Sequence, residues 1–297
     1  MTAHPKVDPI TGELLFFGYS WQSPYLTYHI ADADGQIIKS EAIDVAGPSM
    51  QHDFAITATR TIFLDLPILF DLNAAIAGAS LPFAWTPSYG ARIGVVPRYG
   101  SNADVVWVEI ETCFVFHTAN AYDDPTNPDL VVLEAYRLRE FSFDEAKMRE
   151  KRIYPQLWRW TINAKTGAVS EEQVLDVFAD FPVVDPRQVG RYHRYLYSVQ
   201  FDRDDFLRPE GGVVSRSEGI QRFDRETGKV EVHRFGPRYR SDEATFVPKR
   251  DGADGEGWLL SFVYDRADKV SALAVLNAED LEGDPQALVY LPQRVPH

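Results

Sequence analysis

Seven histidines are the side chains of this sequence best suited to hold a metal or move a proton near neutral pH: His4, His29, His52, His117, His193, His233 and His297. His29, His193 and His233 lie in strand-like runs flanked by Arg, Tyr or Val, where a histidine is ordinarily a partly exposed strand residue. His4, His52 and His117 differ in their spacing, the second following the first by 48 residues and the third following the second by 65. One blade of a β-propeller takes ~40–50 residues. The first interval therefore matches one blade, and the second matches a blade plus an insertion the size of the apolar stretch 66–85. Equivalent inner-strand positions of neighbouring blades all face the central axis, so imidazoles one blade apart would converge there without any local motif. Neutral imidazoles suit several transition metals.

Other chemistries find little support. The lone Cys113 cannot form an internal disulfide, and the absence of Cys-x-x-Cys excludes a thiolate zinc site and a dithiol redox motif. No Gly-x-Ser-x-Gly, His-Glu-x-x-His or phosphate-binding glycine loop occurs. Gly252-Ala-Asp-Gly-Glu-Gly257 reads as a polar turn, since no helical pattern follows it.

The elements that must position the histidines are short strands. Asp8-Pro-Ile-Thr-Gly12, Asp32-Ala-Asp-Gly35, Asn163-Ala-Lys-Thr-Gly167 and Asp224-Arg-Glu-Thr-Gly228 share one grammar. Asp or Asn opens the turn by accepting from its own backbone, and Gly closes it where φ must be positive. Alternating runs such as Leu26-Thr-Tyr-His-Ile30 flank these turns, which is a hairpin pattern. Many such hairpins imply an all-β sandwich, barrel or propeller. Residues 139–150 read as a short surface helix or a charged loop, and 66–85 as apolar and too broken by Pro and Gly for a long helix. Nothing marks a linker, so residues 1–297 are expected to form a single partial domain.

Three local words carry a resemblance. Thr2-Ala-His-Pro-Lys-Val-Asp-Pro9, Met50-Gln-His-Asp-Phe-Ala-Ile-Thr57 and Cys113-Phe-Val-Phe-His-Thr-Ala-Asn-Ala-Tyr-Asp-Asp124 resemble iron-ligand motifs of the carotenoid cleavage oxygenase family. That family includes the lignostilbene dioxygenases and the retinoid isomerase of the eye. Asp180-Phe-Pro-Val-Val-Asp-Pro-Arg187, Asp242-Glu-Ala-Thr-Phe-Val-Pro248 and Leu291-Pro-Gln-Arg-Val-Pro296 resemble its downstream segments, in the same order along nearly all of the chain.

The resemblance implies a seven-bladed β-propeller, here an incomplete one of about five blades, with Fe(II) held by four neutral histidines. His4, His52 and His117 would be the first three metal ligands. The fourth falls in a Phe-His-Gly word of the family beyond the last residues here, and His297 stands a few places before it as a potential substitute. The family's N-terminal half-propeller precedes Thr2-Ala-His-Pro5, so the resemblance implies a chain truncated at both ends. Asp180, where the family usually has Glu, would orient His117 through its second ring nitrogen, and Glu243 would orient the fourth imidazole. The implied reaction adds dioxygen across a C=C bond of a carotenoid, apocarotenoid or stilbene-type substrate, giving two carbonyl products. Phe83, Trp85, Phe114 and Phe116 are then candidate walls of an apolar tunnel, or else ordinary core. The 66–85 stretch would be an entrance for a substrate drawn from a membrane, or an insertion packed over the blades. The alternative function is an inactive propeller fragment serving as a binding scaffold.

Composition sets outer limits. Thirty basic against 44 acidic side chains give a net charge of −14, which opposes nucleic acid and anionic membrane surfaces. Aromatic residues at 13%, with 18 Phe and 14 Tyr, favour strands. The first ten residues lack the apolar core of a signal peptide, and no apolar run reaches the ~18 residues of a spanning helix. A cytoplasmic protein, at most peripheral to a membrane, is the expectation.

Overall fold

The computed structural model describes residues 2–206 and 217–295. Among these residues the chain forms five four-stranded antiparallel sheets and one two-stranded hairpin, an all-β architecture of the propeller class with about the five blades expected. The first sheet holds β1 (Lys6–Val7), β2 (Leu14–Tyr19), β3 (Leu26–Ala31) and β4 (Ile37–Ile43). The second holds β5 (Ala55–Ile56) and β6 (Arg60–Asp65), continues after the inserted hairpin of β7 (Ile68–Phe70) and β8 (Phe83–Trp85), and ends with β9 (Ala91–Pro97) and β10 (Val106–Ile110). The third is β11 (Phe114–Asp123), β12 (Leu130–Leu138), β13 (Gln156–Asn163) and β14 (Val169–Leu175). The fourth is β15 (Ala179–Val183), β16 (Tyr195–Phe201), β17 (Ser217–Asp224) and β18 (Val230–His233). The fifth is β19 (Tyr239–Pro248), β20 (Gly257–Asp265), β21 (Val270–Asn277) and β22 (Ala287–Tyr290). Every sheet is laid down in chain order, so its first strand is always an edge.

The chain divides into two compact units. One takes the residues up to Ile153 with Leu157–Leu175 and Val189–Tyr192; the other takes Tyr154–Gln156, Asp176–Gln188 and the chain from His193 on. In the first, strand alternation buries every second side chain: Leu15 and Phe17 of β2 and Leu26, Tyr28 and Ile30 of β3 are sealed from solvent. They pack with Ile43, Phe54, Ile56, Phe63 and Val96 in one apolar cluster. In the second unit Tyr197, Val199, Ile220, Phe246, Leu259 and Leu276 form the corresponding cluster.

All four turns follow the expected chemistry. Asp8 Oδ1 accepts from the N–H groups of Ile10 and Thr11, at 2.7 and 3.0 Å, and Asn163 Oδ1 accepts from those of Lys165 and Thr166, at 3.0 and 2.9 Å. Gly12 and Gly167 close these turns at φ +71° and +74°, in the left-handed region where a side chain would be strained. In the 139–150 stretch the helix prevails over the loop: α2 (Glu145–Glu150) follows an earlier short helix, α1 (Leu72–Ile76), and starts where Asp144 Oδ1 accepts from the Ala146 N–H at 3.0 Å. The 66–85 stretch folds as β7, α1 and β8, and leaves Leu72, Ile76 and Leu81 exposed. Trp21, also exposed, stacks on Phe70. Among the described residues no helix is long and apolar enough to cross a membrane.

One buried ion pair fastens the first two sheets of this unit together. Arg98, just past β9, donates to Asp8 Oδ2 at 2.5 Å and to the Thr57 carbonyl, with both charged side chains almost fully buried. Burial alone would raise the Asp8 carboxyl, but the Arg98 guanidinium and the two turn N–H groups outweigh it and hold it down at about 2. A carboxyl lowered by folding stabilises the protein above its ordinary value of 3.8, and that contribution is lost as pH falls through about 2. Arg98→Leu leaves Asp8 Oδ2 without its buried partner, while Oδ1 keeps the turn N–H groups and Arg191 at 3.6 Å. The change is expected to cost about 3 kcal/mol, the lower end for a broken buried pair. It should be seen as a lower urea midpoint and a weaker acid dependence below pH 4. An unchanged midpoint would contradict the role given to the pair.

Candidate metal centre

His4 lies two residues before β1, His52 three residues before β5, and His117 within β11, so each imidazole sits on or just ahead of the first strand of its sheet. At His117 the strand is irregular: the pairing of β11 with β12 shifts register between Val115 and Thr118 and again between Thr118 and Asn120. Such a bulge breaks the simple inside–outside alternation and re-aims a side chain.

These three frames bring their imidazoles together. His4 and His52 have ring centroids 5.0 Å apart, His4 and His117 5.0 Å, and His52 and His117 5.2 Å. His4 Nε2 lies 3.2 Å from His52 Nε2, and one ring nitrogen from each of the three falls within 4.8 Å of the others. Two nitrogens bound to one metal at ~2.0–2.1 Å are themselves roughly 3–3.5 Å apart; the His4–His52 pair stands at that spacing, and the His117 nitrogen lies close enough to complete a candidate donor set. All three rings are half-buried. Burial lowers the His4 imidazole to about 4, with the Asp53 charge working the other way and His117, Lys6 and His52 adding to the fall.

Beside the rings lies a carboxylate that sequence reasoning passed over. Asp53, directly after His52, is buried and forms an ion pair with Lys6 Nζ at 2.8 Å. It also accepts from the Thr118 N–H and hydroxyl, each at 2.8 Å. Burial would raise its pKa, but Lys6, His4 and the hydrogen bonds to it hold it low. Thr2 adds a further tie, its hydroxyl donating to the His52 carbonyl at 3.2 Å and accepting from the His4 N–H at 3.1 Å. The signal available in the sequence was adjacency alone: Asp53 and Thr118 each follow a histidine, and Lys6 lies two residues past one.

An aromatic wall leads away from the rings. His52 meets Phe116 edge-on at 5.4 Å, Phe116 meets Phe141 at 5.3 Å, and Phe141 meets Phe143 at 4.8 Å. Phe141 and Phe143, with Trp85, Lys147 and Ile153, line an open cavity of about 430 Å³. Of the candidate tunnel residues, Phe116 flanks the imidazoles and Trp85 lines the cavity. Phe114 is sealed core, and Phe83 packs on Phe70.

Asp180 and Glu243 belong to the second unit. Asp180 is buried on β15 at a register shift, before Phe181 at φ +56°, and its Oδ1 accepts from the Phe181 N–H at 2.8 Å. Glu243 lies exposed at the register shift of β19. His297 lies outside the described residues. His29 is a half-buried strand residue bonded to Ser40 at 2.8 Å, as expected. His193 and His233 differ from expectation, because both are buried; His233 Nδ1 meets the Leu281 carbonyl at 3.1 Å, a partner 48 residues away that no local pattern announces. Burial pushes the Cys113 thiol up to about 12, so it offers no thiolate ligand near neutral pH.

Comparison with known proteins gives four findings that bear on this geometry. The family model described as retinal pigment epithelial membrane protein matches residues 1–297. Carotenoid 9,10(9',10')-cleavage dioxygenase 1 of Arabidopsis thaliana is 35% identical over 314 residues, an overlap covering 100% of this chain and 56% of the relative. Among solved structures, the lignostilbene dioxygenase of Pseudomonas brassicacearum superposes with a TM-score of 0.87 at 26% identity, covering 99% of this chain and 64% of that one. A cobalt-substituted Synechocystis ACO superposes at 0.83 and 26% identity, covering 100% and 63%. The chain thus spans somewhat over half the length of the curated relative it matches.

A half-buried, neutral His4 has a direct signature. In the metal-free chain its imidazole should titrate with a midpoint near 4 rather than the ordinary 6.5, read from long-range ¹H–¹⁵N NMR correlations. A histidine lowered by folding contributes fully above its unfolded value of 6.5, and that contribution is lost as pH falls toward about 4. A midpoint at or above 6.5 would contradict the desolvated ring.

Proposed function

The chain belongs to the carotenoid cleavage oxygenase family, and from that membership we propose that it is a non-haem Fe(II) dioxygenase. It cleaves a C=C bond of a carotenoid, apocarotenoid or stilbene-type substrate. The observation that carries this reading is the convergence of His4, His52 and His117 ring nitrogens within 4.8 Å. A donor set of neutral imidazoles with no carboxylate suits iron and leaves coordination positions open. Iron bound there would supply the activation of dioxygen, a reaction that side chains alone do not perform.

The chain's own residues bind, orient and exclude water. Burial keeps His4 neutral, so its nitrogen lone pair stays available at pH values where a free imidazole takes up a proton. Lys6 balances the charge of Asp53, and all of that carboxylate's close contacts are with donors beside the rings. Phe116 and Phe141 give an apolar wall against which a polyene or an aryl ring can lie flat, aligning one double bond beside the imidazoles. In this proposal Asp180 and Glu243 accept from the second ring nitrogens of metal-holding imidazoles, Asp180 serving His117 and Glu243 a fourth imidazole of the family's set. Residues 1–297 act as one partial propeller domain, located in the cytoplasm. The exposed Leu72, Ile76, Leu81 and Trp21 around the 66–85 insertion make peripheral contact with the membrane that holds the substrate.

Two outcomes are expected. The purified chain, loaded anaerobically with Fe(II), should carry about one iron by metal analysis, and His117→Ala should lose it. Under ¹⁸O₂ the loaded chain should place one labelled oxygen in each of two carbonyl products from an apocarotenoid or stilbene. Full iron retention by His117→Ala would refute the ligand assignment. For the insertion, an Ile76→Ser/Leu81→Ser variant should float with liposomes several-fold less than the unaltered chain. Equal flotation removes the membrane contact.

A further inference from the structure

Asp53 uses both carboxylate oxygens in full. Oδ1 takes Lys6 Nζ at 2.8 Å and the Phe54 N–H at 2.7 Å; Oδ2 takes the Thr118 N–H and the Thr118 hydroxyl, both at 2.8 Å. A carboxylate offers about four lone-pair sites, and here each faces a donor. No neutral side chain of the same shape can do this. The amide of an asparagine has one oxygen, so its NH₂ would be turned against either the Lys6 ammonium and Phe54 N–H or the two Thr118 donors.

The donors come from separate stretches of chain, and each stretch carries one of the converging histidines. Lys6 lies two residues past His4, Asp53 itself is the neighbour of His52, and Thr118 is the neighbour of His117. One buried carboxylate therefore ties together the backbone frames of all three imidazoles. The first histidine lies ahead of a strand of only two residues, the second likewise, and the third stands on a bulge. Such short or irregular strands give little ladder bonding of their own to fix a ring to a few tenths of an ångström, the tolerance of a metal's donor distances.

Resting on the reading that the three imidazoles hold a metal, we infer that Asp53 is a positioning residue for that centre, acting through Lys6 and Thr118 and not as a ligand. Its carboxylate sets the spacing of the three ring nitrogens before metal arrives. Thr118 is the residue through which it sets His117.

The test uses Co(II) alone as probe, titrated into the purified chain and followed by its visible ligand-field bands. Circular dichroism reports whether each variant is folded. Asp53→Asn is expected to weaken Co(II) binding about 10–100-fold, the range found when groups that orient metal ligands are removed. Because that change also removes a charge, and breaks a buried pair that folding needs, Thr118→Val carries the decision. It keeps shape and charge and deletes only the hydroxyl, which is shared between Asp53 Oδ2 at 2.8 Å and the Phe54 carbonyl at 3.0 Å. Thr118→Val should weaken binding several-fold and shift the bands, whereas Thr118→Ser, which restores the hydroxyl, should bind within about twofold of the unaltered chain. Equal affinity and identical bands in Thr118→Val would overturn the inference while leaving the metal centre standing. Absence of any Co(II) binding by the unaltered chain would overturn the metal reading and this inference with it.

Discussion

A carboxylate withdrawn from water must be met by donors on every side, because the desolvation it suffers is several kcal/mol in size (roughly, for an ion in a protein interior). Asp53 meets that requirement with Lys6, Thr118 and its own neighbour's N–H, and in doing so fixes how three separate parts of the chain approach one another. The close contact of His4 and His52 follows from this constraint. Two imidazole nitrogens 3.2 Å apart gain little from each other, and neither ring could be held there by strands of two residues alone. The approach persists because the frames behind the rings are joined by that buried charge and by the Thr2 hydroxyl, which links the His4 N–H to the His52 carbonyl.

The same construction recurs along the chain. In the third, fourth and fifth sheets the first strand carries a register shift, at Phe116–His117, at Asp180–Phe181 and at Asp242–Glu243. His117 and Glu243 fall inside their shifts, and Asp180, still paired with Val199, borders its own. A regular strand sends alternate side chains to opposite faces, and the extra residue of a bulge lets one edge strand keep its apolar packing while presenting a polar group at an angle the ladder would not allow. At His117 the sheet supplies the rigid packing and the bulge supplies the aim. Asp180 and Asp242 add a local device, each accepting from the N–H that follows it and so satisfying a donor that the irregular ladder leaves over.

What the sequence disclosed, and what it withheld, divides by the range of the interaction. The hairpin turns at Asp8, Asp32, Asn163 and Asp224 were legible because a side chain, its own backbone and a glycine four residues or fewer away settle them. The grouping of His4, His52 and His117 was legible through blade spacing and through the words around each histidine. The part played by Asp53 was not, because its partners are 47 and 65 residues away and the pairing exists only once the sheets have formed. Burial of His193 and His233 was hidden for the same reason, as their surroundings come from distant segments. In 139–150 the pattern left helix and loop open, and Asp144 decided it by capping α2. The expectation for His297 falls on a residue outside those described.

The central claim is that the three imidazoles are the ligands of one metal ion. X-ray absorption at the iron edge of the Fe(II)-loaded chain addresses it most directly, because imidazole rings give a multiple-scattering pattern that counts them. The account predicts at least three imidazole nitrogens near 2.1 Å (about the usual metal–imidazole distance), falling by one in a His52→Ala variant. A spectrum dominated by carboxylate and water oxygens, or one that His52→Ala leaves unchanged, would contradict it.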